Sequence, residues 1–108
     1  MDVNGLAYDG WTALHLAAFF GHVDAARILL EAGADIQAIS ANSLRNTPLH
    51  AATAGKHAEV ALFLLEQGAD PHAVDAGGYT PLRIAEENQL SEVVARLNTK
   101  GDTAGDSG

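Results

Sequence analysis

Apolar residues along this chain fall into short clusters that recur with their spacing intact. After Thr12 come Leu14, Ala17 and Ala18, which share one face of a short helix; after Thr47, Leu49 and Ala52 do the same. A second helix is predicted over Asp24–Ala32, where Ala25, Ile28 and Leu29 form an i, i+3, i+4 stripe. Its counterpart over Glu59–Gln67 has Val60, Phe63 and Leu64 at the same steps, which places Phe63 in the core. Threonine is a good helix N-cap, and Pro48 and Pro81 stand at the first helical position, where a missing N–H costs nothing. Gly21 and Gly55 read as C-cap glycines of the first helices, and Gly33 and Gly68 as stops of the second. Thr12, Thr47 and Thr80 begin successive units 35 and then 33 residues apart, and similarity at such a period means a stacked repeat architecture.

Two motifs recur in fixed register: Thr12-Ala13-Leu14-His15-Leu16-Ala17-Ala18, Thr47-Pro48-Leu49-His50-Ala51-Ala52 and Thr80-Pro81-Leu82, then Leu-Leu-Glu-Ala-Gly-Ala-Asp from Leu29 and Leu-Leu-Glu-Gln-Gly-Ala-Asp from Leu64. On these motifs the chain resembles the ankyrin-repeat proteins, over about Asp2–Gly101. The resemblance implies an all-α solenoid of helix–turn–helix units joined by β-hairpin-like fingers. Its divisions are a partial finger (2–11), a first repeat with its loop (12–46), a second repeat (47–79), a capping repeat (80–101) and a disordered tail (102–108). Asp2 stands ten residues before Thr12, as Asp70 does before Thr80, so the chain opens inside a finger. A piece trimmed from a longer array is the favoured expectation; the alternative is a protein without an ordinary N-terminal cap. The loop from Asp35 to Thr47 carries two extra residues, placed within Ser40–Asn46. In the third unit Arg83 replaces the motif histidine, Asn88-Gln89 the glycine, and Asn98 an apolar position, as suits a cap that no neighbour covers.

Composition sharpens this picture. Alanine occurs 21 times, often in pairs, which suits helices packed backbone-close. A formal charge of −8 makes nucleic acid and anionic membrane poor partners. No apolar run approaches the ~18 residues of a membrane span, and residues 1–10 lack the features of a secretion signal. Cysteine is absent. The expectation is a cytoplasmic, monomeric interaction domain.

Candidate chemistry is thin. The resemblance implies that the imidazoles of His15 and His50 bond to the N-cap threonine region and the adjoining loop. His22 and His57 are equivalent at the turns between helices. Equivalent side chains one repeat apart, ~8–10 Å, do not converge on a shared metal. His72 lies alone in a finger, and Glu86-Glu87 with Glu92 read as the solvated face of the cap. Neither a nucleophile elbow, a phosphate loop nor a His-Glu-x-x-His motif is found, so no enzyme activity, cofactor or metal is expected.

The aromatic residues point elsewhere. Tyr8 and Trp11 flank the turn before Thr12, Tyr79 occupies the Trp11 position two units later, and Phe19 and Phe20 end the first helix where the third unit has Glu87. In the resembled family, finger and first-helix-end positions line the concave face that grips partners. Large aromatics anchor protein interfaces at low entropic cost. Leu6, Ile39, Leu44 and Val74 add aliphatic area, and Asp9, Arg45 and Asn46 a polar rim. The predicted site is thus a protein-binding groove of Tyr8, Asp9, Trp11, Phe19, Phe20, Leu44, Arg45, Asn46, Tyr79 and Glu87, favouring a partner with Lys or Arg around an apolar patch. Trp11 is expected at the surface. The phenylalanine pair is open: groove residues, or core orphaned by a missing neighbour. Self-association through exposed aromatics, as a fragment of a longer array, is the competing reading.

Overall fold

The computed structural model describes residues 3–106; Asp2 of the expected finger and residues 107–108 of the expected tail lie outside them. A two-stranded antiparallel hairpin, β1 (Leu6–Tyr8) and β2 (Trp11–Thr12), leads into helices α1 (Ala13–Phe20) and α2 (Val23–Glu31). The second unit is α3 (Pro48–Ala54) and α4 (Ala58–Glu66), and the third α5 (Pro81–Glu87) and α6 (Ser91–Asp106). First helices stack in the order α1, α3, α5, and α2, α4, α6 form a second layer behind them. The array is elongated, 49 × 29 × 20 Å.

Each first helix starts as its sequence dictates. Thr12, Thr47 and Thr80 are the N-caps, and their side-chain oxygens accept from the backbone N–H three residues on. Pro48 and Pro81 begin α3 and α5. Leu14, Leu49, Val60, Leu64 and Val93 are fully buried, and Ala18, Ala51, Ala52, Ala61 and Ala85 fill the narrow spaces between helices. Small side chains there let the helix backbones approach closely.

In α2 the buried stripe is rotated from the expected one. Ala26 is buried and Leu29 and Leu30 half-buried, whereas Ala25 and Ile28 face solvent. Their counterparts Val60 and Phe63 in α4 are covered because α2 lies against that side. Phe63 is half-buried rather than core, with the Arg27 guanidinium 5.4 Å from its ring centroid. Periodicity located the helix, but the covered face depends on which neighbour is present.

The glycine caps also need correction. Gly21 takes the left-handed conformation at φ 79, as a C-cap glycine does. Gly55 does not: its φ is −79, and Lys56 at φ 65 carries the left-handed turn, as Gln89 does at φ 60. Gly55 is required for space instead, since a Cβ there would overlap the Phe19 carbonyl of the preceding unit. Beyond the cap, α6 continues past Gly101, the expected end of the array, to Asp106. Each glycine costs a helix about 1 kcal/mol and does not by itself end it.

The fingers are tied to one another. Asp9 and Gly10, at φ 50 and 80, form the two-residue turn between Tyr8 and Trp11, a geometry that suits an Asp-Gly pair. In the third finger the Asp75 carboxylate accepts from the N–H groups of Gly77 and Tyr79. Ser40 stands at the Asp75 position in the second finger; its hydroxyl accepts from Asn46 N–H and donates to Asn42 Oδ1, which also accepts from Leu44 N–H. This longer loop reaches both ways: Ala41 N–H donates to Gly10 O at 2.7 Å, Asn42 Nδ2 to Asp9 O at 2.8 Å, and Leu44 O accepts from Ala76 N–H at 3.0 Å.

Candidate functional site

His15 and His50 bind the stack together. Thr12 N–H donates to His15 Nδ1 at 3.2 Å, which assigns the ring hydrogen to Nε2, 2.8 Å from the Asn46 carbonyl. His50 repeats the arrangement with Thr47 and the Tyr79 carbonyl. Burial lowers the His15 pKa below its ordinary value, outweighing the Asn46 and Ala38 carbonyls that pull the other way. These imidazoles are connectors, with both ring nitrogens occupied. At the turns, His57 packs over Gly21, where a Cβ would fall 2.5 Å from Nδ1. Among the described residues no three His, Cys, Asp or Glu side chains are grouped to hold a metal ion.

The predicted aromatic site divides into separate parts. At the N-terminal end, Tyr8, Asp9, Trp11, Phe19 and Phe20, joined by Leu16, line a hollow of about 200 Å³. The β1–β2 hairpin supplies the first three and the last turn of α1 the phenylalanines. Trp11 and Phe19 meet edge to face at 5.3 Å, as do Phe19 and Phe20. Offset and edge-to-face pairs are favoured arrangements.

Within this group the exposures differ sharply. Tyr8 is 72% exposed and Phe20 57%. Trp11 is not the surface residue that the sequence suggested. Its ring is partly buried against the core, stacks on His15 at 5.8 Å, and encloses an indole N–H that has no partner. Phe19 likewise packs on the core. The pair therefore splits, because neighbouring helical positions point ~100° apart: Phe19 inward and Phe20 outward.

Asn46 is also misassigned by sequence. It is buried, with its main chain held by Ser40 and His15, so it buttresses the loop and offers no rim. Leu44 and Arg45 are exposed on that loop, away from the hollow. Toward the C-terminal end, Tyr79 and Glu87 do come together, through Arg83, which in the sequence stands out only as a departure suited to a cap. The Arg83 guanidinium lies 5.4 Å from the Tyr79 ring centroid, and its Nε donates to Glu87 Oε2 at 3.0 Å. The signal available was the i, i+4 spacing of Arg83 and Glu87. Leu16 had no distinguishing signal, because its counterpart Ala51 is buried under the preceding unit.

A family model described as "Ankyrin repeat" matches residues 9–41, and one described as "Ankyrin repeats (many copies)" matches residues 29–85. No curated protein matches the chain.

Proposed function

The chain belongs to the ankyrin-repeat family, whose repeats are generally protein–protein interaction modules and not enzymes, and we propose that it grips its partner at the aromatic hollow near its N-terminal end. The observation that carries this reading is the pairing of two well-exposed rings, Tyr8 and Phe20, with a rigid floor of packed Trp11 and Phe19. Exposed aromatics held by a fixed backing lose little entropy on binding, which is the property of interface anchors. Asp9 lies at the edge of the hollow, and the chain carries 14 acidic against 6 basic residues. A partner with an apolar side chain flanked by Lys or Arg is thereby favoured, in encounter rate more than in affinity. Tyr79, Arg83, Glu87, Leu44 and Arg45 extend the contact along the array.

Replacing Tyr8 and Phe20 together by alanine tests the reading. Capture of partner proteins from a lysate is expected to fall at least about tenfold, with the melting temperature moved by no more than a surface change moves it. Equal capture by parent and variant would remove the hollow from the interface.

A second reading draws on a different observation. Ala25 and Ile28 are exposed on α2, while Val60 is buried and Phe63 half-buried at the same positions of α4. That apolar flank fits self-association or continuation into further repeats. Sedimentation at micromolar concentration separates the two, since a clean monomer leaves self-association without support.

A further inference from the structure

Three exposed aliphatic residues occupy one register position in successive fingers: Leu6, Ile39 and Val74, each followed after a short turn by a capping threonine. They are 62%, 46% and 60% exposed, although β-branched and leucine side chains are otherwise mostly covered in this fold. Tyr8, two residues after Leu6 in β1, is likewise exposed, and the exposed Leu44 belongs to the loop whose carbonyl accepts from Ala76 N–H beside Val74. Hydrogen bonds hold the fingers in step. Asp35 N–H donates to Asn4 Oδ1 and Asp70 N–H to Gln37 Oε1, in addition to the Ala41–Gly10 and Ala76–Leu44 bonds. The result is an aliphatic row on a stiff frame, with a spacing set by helix stacking at about 8–10 Å.

That spacing selects a kind of partner. Seven residues of α-helix advance about 10.5 Å and return to nearly the same face. An extended strand advances about 10 Å in three residues, which turns the third side chain to the opposite face. A polyproline helix does return after three residues, about 9.3 Å, but it carries unpaired backbone groups. Several of the donors that such a peptide would seek along the fingers, the N–H groups of Asp35, Ala41, Asp70 and Ala76, are already bonded within the array. An α-helix satisfies its own backbone. Charge points the same way: Asp9, Asp35, Asp70 and Asp75 are spread along the fingers, with Arg45 the only Lys or Arg among their described residues.

Resting on the interaction-module reading, we propose that the finger row binds an amphipathic, basic α-helix presenting aliphatic side chains at every seventh residue. The probe is a synthetic helical peptide of about 21 residues, lysine and alanine with leucine at every seventh position. Two controls have leucine at every fifth position, and leucine at every third in a proline-rich sequence. Titration followed by amide NMR is expected to move the signals of Leu6, Ile39 and Val74, with the seven-spaced peptide at least about tenfold tighter than either control. The Leu6→Ser/Ile39→Ser/Val74→Ser variant, checked by circular dichroism to be folded, is expected to lose about the same factor. Equal binding of all peptides, tighter binding of the proline-rich one, or unchanged affinity of the triple variant would overturn the proposal. If these fail while Tyr8→Ala/Phe20→Ala still abolishes partner capture, the helix inference falls and the interaction reading stands.

Discussion

His15 is completely enclosed, yet each of its ring nitrogens has a partner, Thr12 on one side and the Asn46 carbonyl on the other. The bond from Thr12 N–H requires the neutral ring, whereas the Asn46 carbonyl accepts from Nε2–H in either form. Because burial depresses the folded-state pKa below that of the unfolded chain, about 6.5, the contribution is full above that value and is lost as pH falls through the folded pKa. Urea midpoints measured from about pH 7.5 to about 5 should therefore decline on the acid side, and His15→Gln should flatten the decline. A parent and variant with parallel pH profiles would refute it. Lys56 carries a different residue-scale tension, a left-handed backbone at φ 65 that costs an L-residue about 1–2 kcal/mol. Set against the larger unfolded-state entropy of glycine, Lys56→Gly is expected to stabilise by about 0.5–1 kcal/mol in chemical denaturation. The threonine caps and N1 prolines could be read from sequence because they act within a turn. The left-handed position is masked in the sequence, since Gly55, the more usual cap residue, sits one place before Lys56, the register equivalent of Gly21.

At the scale of elements, Gly55 shows how α1 and α3 meet. Its equivalent in the first unit is Phe20, which stands free, whereas a side chain at Gly55 would strike the Phe19 carbonyl. Gly55→Ala should consequently cost about 1–3 kcal/mol by forcing α1 and α3 apart, and thermal melting would register the loss. An alanine variant as stable as the parent would mean that the helices do not approach as described. The same asymmetry explains α2 and α4. Their helical spans agree with the periodic pattern to within a residue, but Val60 is buried and Ala25 exposed because only α4 has a neighbour on that side. Trp11 belongs to this scale too: a ring beside a turn looks like surface in one dimension, and its packing on His15 and Phe19 appears only when β2 and α1 are folded together.

Across the whole molecule, protection should follow position in the stack. α3 has neighbours on both sides and buries nearly its whole length, whereas every residue of β1 is exposed. Hydrogen exchange is expected to be slowest in α3 and fastest in Leu6–Tyr8, in keeping with nearest-neighbour coupling in a repeat array. Equal protection of β1 and α3 would contradict that picture. The repeat period, the caps, the helical hairpins and the ankyrin resemblance all followed from residue order, because each rests on contacts within a few residues or on a motif recurring in register. Which aromatic is floor and which is rim, and why one glycine serves space and not φ, did not. Those features arise where units meet, through packing between residues some 30 positions apart, and a linear pattern records the units without recording what covers them.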